Sequence, residues 1–352
     1  MEACKICKKE KTFLSKALKI CLDCIREKPK QSFPFIKKAH TKAREKYNLP
    51  VFPPKTMGGI KCNICANECQ MGKGKISFCG LRKNKEGKLE SKVNENFGLL
   101  YSYFDPLPTN CCASWFCSGS IEGKGKNNLA IFFYGCSFDC LFCQNYSHKL
   151  IKEAPRVFVE DLLEKALDPS VYCLCFFGGS PEPQLPFAIN FSEKILKKRK
   201  IKICFEWNGS GNKNLVKKVG KIALKSRGII KFDLKAFNEN LSYALSGVSN
   251  KRTYENFKMI AKEFLPKANY LMLTATTLLV PGYVDKIEVE KISKFIAKLN
   301  PEIPYSLLIF FPAFQMSDLP VTPKEWAFEC LEVAKKYLKN VHLGNIHLLG
   351  KI

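Results

Sequence analysis

From residue 129 onward, short and nearly unbroken apolar runs alternate with longer stretches in which lysine recurs between apolar residues. The runs Leu129–Tyr134, Val171–Phe177, Ile201–Glu206, Ile229–Leu234, Tyr270–Val280, Tyr305–Phe311 and Val341–Leu343 are rich in β-formers and read as strands. The lysine-studded stretches between them read as helices. One start is explicit: Thr322-Pro323-Lys324-Glu325 offers an N-cap threonine, a first-turn proline and a capping-box glutamate. Trp326, Cys330, Val333 and Tyr337 follow at helical spacing. Strands alternating with helices predict a parallel sheet, here over about 121–352.

The first 120 residues lack this rhythm and are punctuated by cysteine instead. Cys4-x2-Cys7 and Cys21-x2-Cys24 form two knuckles that resemble a zinc ribbon, with four thiolates around one ion; an iron–sulfur cluster is the runner-up. A unit of about 1–50 cannot bury enough apolar surface alone, so the metal would supply its folding energy. A basic run (Lys37, Lys38, Lys42, Arg44, Lys46) precedes linker prolines at 50, 53 and 54. In a second unit, about 51–120, Cys62, Cys65, Cys69 and Cys79 leave zinc and a 4Fe–4S cluster both open, with structural zinc preferred. Cys111, Cys112 and Cys117 read as a ligand set, a redox pair, a hydrogen-atom donor or simply buried small residues.

Composition narrows the function classes. With 352 residues, 46% of them hydrophobic, the chain can hold one large domain, alone or with a small one attached. No apolar run approaches the roughly 18 residues that cross a bilayer, and the start has no signal-peptide core; a cytoplasmic protein is expected. Eighteen cysteines, several paired as C-x2-C, point to metal sites in a reducing compartment rather than disulfides. The net charge of +25 raises nucleic-acid binding. Only seven of the 57 basic residues are arginine, however, and the lysines fall on predicted solvated faces such as Lys194, Lys197, Lys198, Lys217 and Lys218. Nucleic acid is therefore the less favoured partner.

The chemistry concentrates in Tyr134–Asn145, where Cys136, Cys140 and Cys143 have the spacing C-x3-C-x2-C. Three thiolates can hold three irons of a 4Fe–4S cluster and leave the fourth iron open. The loop follows a predicted strand, at the end that carries active sites in β/α barrels. A zinc knuckle would want a fourth ligand; three buried thiols is the remaining alternative.

This spacing, with Phe142 before the last cysteine, Gln144-Asn145 after it and Phe177-Gly-Gly-Ser-Pro-Glu-Pro-Gln184 downstream, resembles the signature of radical S-adenosylmethionine (SAM) enzymes. Within them the chain is similar to the pyruvate formate-lyase activating enzyme group and its AmmeMemoRadiSam-type relatives, over roughly residues 55–347. Cys62–Cys79 resembles the cysteine-rich segment of the latter, whereas the segment around Cys111–Cys117 departs from it. The resemblance implies an open, partial (β/α)6 TIM-like barrel. It implies a 4Fe–4S cluster on Cys136, Cys140 and Cys143, with SAM held by Phe142 and by Gly178, Gly179 and Ser180. An acidic residue commonly stands where Ser180 is, and Glu182 is the candidate to take its part. Glu206 and Asn208, in a segment similar to Thr-Asn-Gly, and Asp233 and Lys235, in Asp-Leu-Lys, extend the SAM site. The two carboxylates could share a monovalent cation. Leu245–Asn250 also matches, and Val280-Pro-Gly282 is expected to shape the pocket.

The implied activity is reductive cleavage of SAM to a 5′-deoxyadenosyl radical that abstracts hydrogen from a protein or peptide. An electron donor of the flavodoxin or ferredoxin type is implied as partner. An RNA-modifying radical SAM enzyme is the rival reading, and a maturation factor acting by partner binding is the third. The four histidines (40, 148, 342, 347) show no ligand spacing and read as structural or surface.

Overall fold

All seven apolar runs become strands; the first six are buried on both faces and must be covered on both, while the last, at the sheet edge, is only partly buried. A computed structural model describes residues 2–350. Its nine-stranded sheet contains β1 (Phe97–Pro106), β2 (Asn127–Phe133), β3 (Arg156–Phe158), β4 (Val171–Gly178), β5 (Lys202–Trp207), β6 (Ile230–Asp233), β7 (Leu273–Leu279), β8 (Tyr305–Ile309) and β9 (Val341–Gly344). Their spatial order is β9-β8-β7-β6-β5-β4-β2-β1-β3. From β2 through β9 the neighbours that pair directly are parallel. The sheet is open, with β9 at one edge and β3 at the other.

Helices join the parallel strands: α3 (Val159–Leu167), α4 (Leu185–Lys198), α5 (Lys213–Ser226), α6 (Glu239–Ser246) with α7 (Lys251–Glu263), α8 (Lys286–Leu299) and α9 (Lys324–Lys335). They make the six crossovers of the expected partial barrel, and β9 follows the last of them at the open edge. Asn212 caps α5 by accepting from Asn214 N, and Asp285 caps α8 by accepting from Glu288 N. Thr322 does not cap α9. Its hydroxyl accepts from Phe310 N at 2.7 Å and donates to Leu279 O at 2.8 Å, stapling the ends of β8 and β7, and the helix begins at Lys324.

The sheet also starts earlier than the sequence suggests. β1 pairs antiparallel with β2, Tyr101 opposite Phe132. Its exposed Tyr101, Tyr103 and Phe104 break the buried pattern by which the other strands were legible.

The N-terminal cysteine unit is not a free appendage. Helices α1 (Leu22–Glu27) and α2 (Pro29–Glu45) contribute Leu22, Ile25, Ile36 and Ala39 to the same apolar core as the sheet. Arg26 forks onto Asp285 at 3.0 and 2.8 Å and reaches Glu288 at 2.8 Å, while Tyr283 Oη accepts from Ser15 N. Among the described residues, no helix is long and apolar enough to cross a membrane.

Candidate active site at the strand ends

The loop after β2 leaves the sheet at Gly135, whose φ of +80° suits glycine. It is then pinned along its length. Asp139 N donates to Ser246 O and Leu141 N to Leu245 O, both at 2.9 Å, so the C-terminal end of α6 templates the backbone. Cys136 Sγ accepts from Phe138 N at 3.3 Å, and Cys140 Sγ lies 3.4 Å from Ser246 Oγ. Burial, with the neighbouring thiols, pushes the Cys136 thiol well up and Cys143 up to about 12. Thiols so placed ionise on meeting a metal, which replaces the proton.

These three cysteines line a cavity that also gathers Phe142, Gly178, Gly179, Ser180, Glu206, Asn208, Asp233 and Lys235. Segments distant in sequence meet there because β2, β4, β5 and β6 are consecutive neighbours and all end at this face. Val280 is the exception. The chain turns back after β7, with Tyr283 N and Val284 N donating to Val280 O, so Val280 is wholly buried in the core. Leu278 and Leu308 line that wall instead.

Several side chains expected to face a ligand are occupied by one another. Asn208 Nδ2 donates to Ser137 Oγ and Ser180 Oγ, both at 2.9 Å, tying the ends of β5 and β4 to the cysteine loop. Glu182 is fully buried; it accepts from Ser180 Oγ and from Gly209 N, and loss of hydration raises its carboxyl to about 7. Gly178 and Gly179 are needed against backbone. A Cβ on Gly178 would stand 2.7 Å from Phe133 N, and one on Gly179 2.4 Å from Gly135 O. Each of the two carboxylates takes a lysine: Glu206 pairs with Lys231 at 3.1 Å, and Asp233 with Lys235 at 2.6 Å. Burial alone would lower Lys235, but Asp233 and Cys140 raise it, so it stays a cation beside the thiols.

Sequence reasoning missed the support under the loop. Asp139, between two of the cysteines, is fully buried and meets His40, Arg44 and Lys149, all buried as well. Burial alone would raise its carboxyl, yet Lys149, Arg44 and His40 hold it well below the usual carboxylate range. The one available signal was an acidic residue inside an otherwise apolar cysteine loop.

The other cysteine sets differ in spacing. Cys4 Sγ to Cys24 Sγ and Cys7 Sγ to Cys21 Sγ are each 3.8 Å, and all four sulfurs lie within 4.8 Å of one another. A tetrahedral zinc with Zn–S of about 2.3 Å requires sulfurs roughly 3.8 Å apart, so this set fits one ion. Cys62, Cys65, Cys69 and Cys79 are all buried, but no three of their sulfurs meet that 4.8 Å limit, and neither do those of Cys136, Cys140 and Cys143. The preference for one zinc at Cys62–Cys79 therefore lacks geometric support. Cys111 and Cys117 lie apart from the loop cavity, on the wall of a second one inside the sheet.

Residues 130–296, which contain the cysteine loop and the ends of β2 and of β4 to β7, match the model of the Radical SAM superfamily. This stretch is a radical SAM domain. A Methanocaldococcus jannaschii protein provisionally named a glycyl-radical enzyme activating enzyme is 26% identical over 216 residues, covering 61% of this chain and 80% of its own. The Escherichia coli pyruvate formate-lyase 1-activating enzyme is 27% identical over 176 residues, 47% of this chain and 66% of its own. The Streptococcus suis SuiB structure bound to S-adenosylmethionine matches with a TM-score of 0.46 and 15% identity, over 61% of this chain and 49% of that one.

Radical SAM domains use a 4Fe–4S cluster and SAM. The site fits both. Its donor set is three buried or half-buried thiols on one loop, spaced too widely for a single ion. Two residues lining the cavity, His148 and Trp207, carry buried ring nitrogens, Nδ1 and Nε1, that have no partner among the described residues. The protein is an enzyme of this chemistry.

Proposed function

We propose that the protein is an activating-enzyme-like radical SAM enzyme that abstracts hydrogen from a protein or peptide. When bound, the cluster and SAM supply reductive cleavage of the sulfonium bond and a 5′-deoxyadenosyl radical. Cys136, Cys140 and Cys143 would hold the cluster; Phe142, the Gly178–Ser180 turn, Asp233 and Lys235 would hold SAM. The chain's own work is positioning. Asp139 and its three buried partners fix the loop, Asn208 and Glu182 lock the neighbouring strand ends to it, and Leu278 and Leu308 keep one wall apolar.

The observation that carries this reading is the convergence of the three thiols, the glycine turn and the Asp233–Lys235 pair on one cavity. The protein or peptide substrate is supported by relatives named as activating enzymes. An electron donor of flavodoxin or ferredoxin type follows, since the cleavage consumes one electron. Eighteen cysteines, all free of disulfides, suit the cytoplasm. We read Cys62, Cys65, Cys69 and Cys79 as a second cluster site, because four irons each taking one thiolate spread the sulfurs apart.

Protein loaded anaerobically with iron and sulfide, then given dithionite and SAM, forms 5′-deoxyadenosine; Cys140→Ala forms none. Added protein extract from deuterium-labelled cells transfers label into 5′-deoxyadenosine. Transfer from the RNA of the same cells, and not from the protein, would install the RNA-modifying alternative.

A further inference from the structure

A second cavity of about 130 Å³ lies inside the sheet, away from the cysteine loop but sharing Glu206 and Phe177 with its cavity. Six residues from four strands face it with unusual chemistry for a barrel interior: Cys173, Cys175, Cys204, Glu206, Lys231 and Asn128. The segment from Leu107 to Ser120 closes it from the other side and brings Cys111 and Cys117 to its wall.

We propose that Cys111, Cys112 and Glu206 form a metal site with one open position, suited to a thiophilic divalent ion such as Zn2+. The two sulfurs and a Glu206 oxygen lie within 4.8 Å of one another, the spacing that the N-terminal zinc-type set also meets. Two sulfurs and one oxygen are a ligand set for zinc, and three protein ligands with a vacant fourth position are the pattern of reactive rather than structural zinc. Cys111 and Glu206 line the cavity, so a small exogenous ligand entering it would come beside the ion.

The ligand loop is held in place before any ion arrives. Trp115 Nε1 donates to Cys112 O at 3.2 Å and to Ser306 Oγ at 3.0 Å, and Ser306 Oγ donates to Cys112 O at 2.7 Å. The Trp115 ring stacks on His342 at 5.2 Å. Lys231 Nζ stands 2.9 Å from Cys111 Sγ, 3.3 Å from Cys175 Sγ and 3.1 Å from Glu206 Oε2. Two thiolates, one carboxylate and one ammonium sum to two negative charges, which a divalent ion neutralises; an interior site needs that balance. Lys231 thus orients two of the ligands and limits the site to one ion.

The test uses wild-type holoprotein with its N-terminal zinc and its clusters in place, kept anaerobic and exposed to Co2+ as probe. Thiols are then labelled with iodoacetamide and mapped by mass spectrometry. Labelling of Cys111 and Cys112 falls by about an order of magnitude with Co2+ present, because a metal-bound thiolate is a poor nucleophile. Cys117, on the same loop but outside the ligand set, labels as before. Thiolate-to-cobalt charge-transfer absorption accompanies the protection and disappears in Cys111→Ser/Cys112→Ser. Equal labelling of both cysteines with and without Co2+ overturns the proposal, and this arm needs no variant to fold. Recovery of the two cysteines as a disulfide in the presence of Co2+ overturns it equally.

Discussion

His40 Nδ1 lies 2.7 Å from Asp139 Oδ2, both side chains fully buried, and this contact joins the helix after the N-terminal cysteine unit to the cysteine loop 99 residues away. His40 Nε2 reaches the carbonyls of Tyr243 and Ala244 at 3.1 Å, so the ring bridges α2, the loop and the end of α6. Arg44 and Lys149 complete the pocket around Asp139. One carboxylate therefore balances two buried cations within the cysteine loop's support.

Asp139→Asn strands those cations. Breaking a buried pair by removing one partner costs about 3–5 kcal/mol. The variant is expected to melt well below wild type and to retain much less iron after anaerobic reconstitution. His40→Ala removes one charged-group hydrogen bond and costs less, on the order of 1.5–3 kcal/mol. Equal melting points and iron contents for Asp139→Asn and wild type would show that the network does not support the loop.

Gly179→Ala places a methyl group 2.4 Å from Gly135 O and 2.8 Å from the His148 ring attachment, both parts of the cysteine-loop wall. Overpacking of this kind costs typically about 1–3 kcal/mol. Stability drops by that order, and SAM affinity measured by equilibrium dialysis falls further than the stability loss explains, since the turn itself must move.

Glu182 predicts a pH dependence. Its folded carboxyl, raised to about 7 by burial, lies above the unfolded range near 4.5. Its stability contribution is thus fully present below the unfolded value and is lost as pH climbs through about 7. The loss amounts to roughly 3 kcal/mol for a shift of this size. Glu182→Gln keeps a hydrogen-bonding side chain without the titration. Denaturation curves between pH 5 and 8 should show wild type losing stability relative to the variant; parallel curves would sink the assignment.

Removing metal from Cys4, Cys7, Cys21 and Cys24 should weaken more than the first fifty residues. Their core is continuous with the sheet, and Arg26 grips Asp285 and Glu288 at the start of α8. Cys21→Ser is expected to lose one equivalent of zinc by elemental analysis and several kcal/mol of stability. A variant without that zinc equivalent but with an unchanged melting curve would make the unit dispensable.

Much of the site could be read before the fold was known. Each strand in a parallel sheet is a buried run, so the seven runs were visible, and residues just beyond strand ends fall on one face by construction. That logic, together with the resemblance to radical SAM motifs, pointed to Cys136, Cys140, Cys143, Gly178, Ser180, Asn208, Asp233 and Lys235, which line one cavity. It failed at Val280, where the strand stops one residue short and the chain turns inward. It also failed at β1, whose exposed aromatics gave no buried run.

The sequence by itself determined the alternation of strand and helix, the three-thiol spacing of the loop and the four-thiol ribbon, because local periodicity and short-range spacing carry those features. Only the tertiary structure decided that Asp139 would be met by His40, Arg44 and Lys149, that Glu206 and Asp233 would each take a lysine, and that Cys111 and Cys112 would stand beside Glu206. Buried charge has to find its counterion wherever the packed chain offers one. The pairing is therefore set by contacts between distant segments, and nothing in the local pattern encodes it.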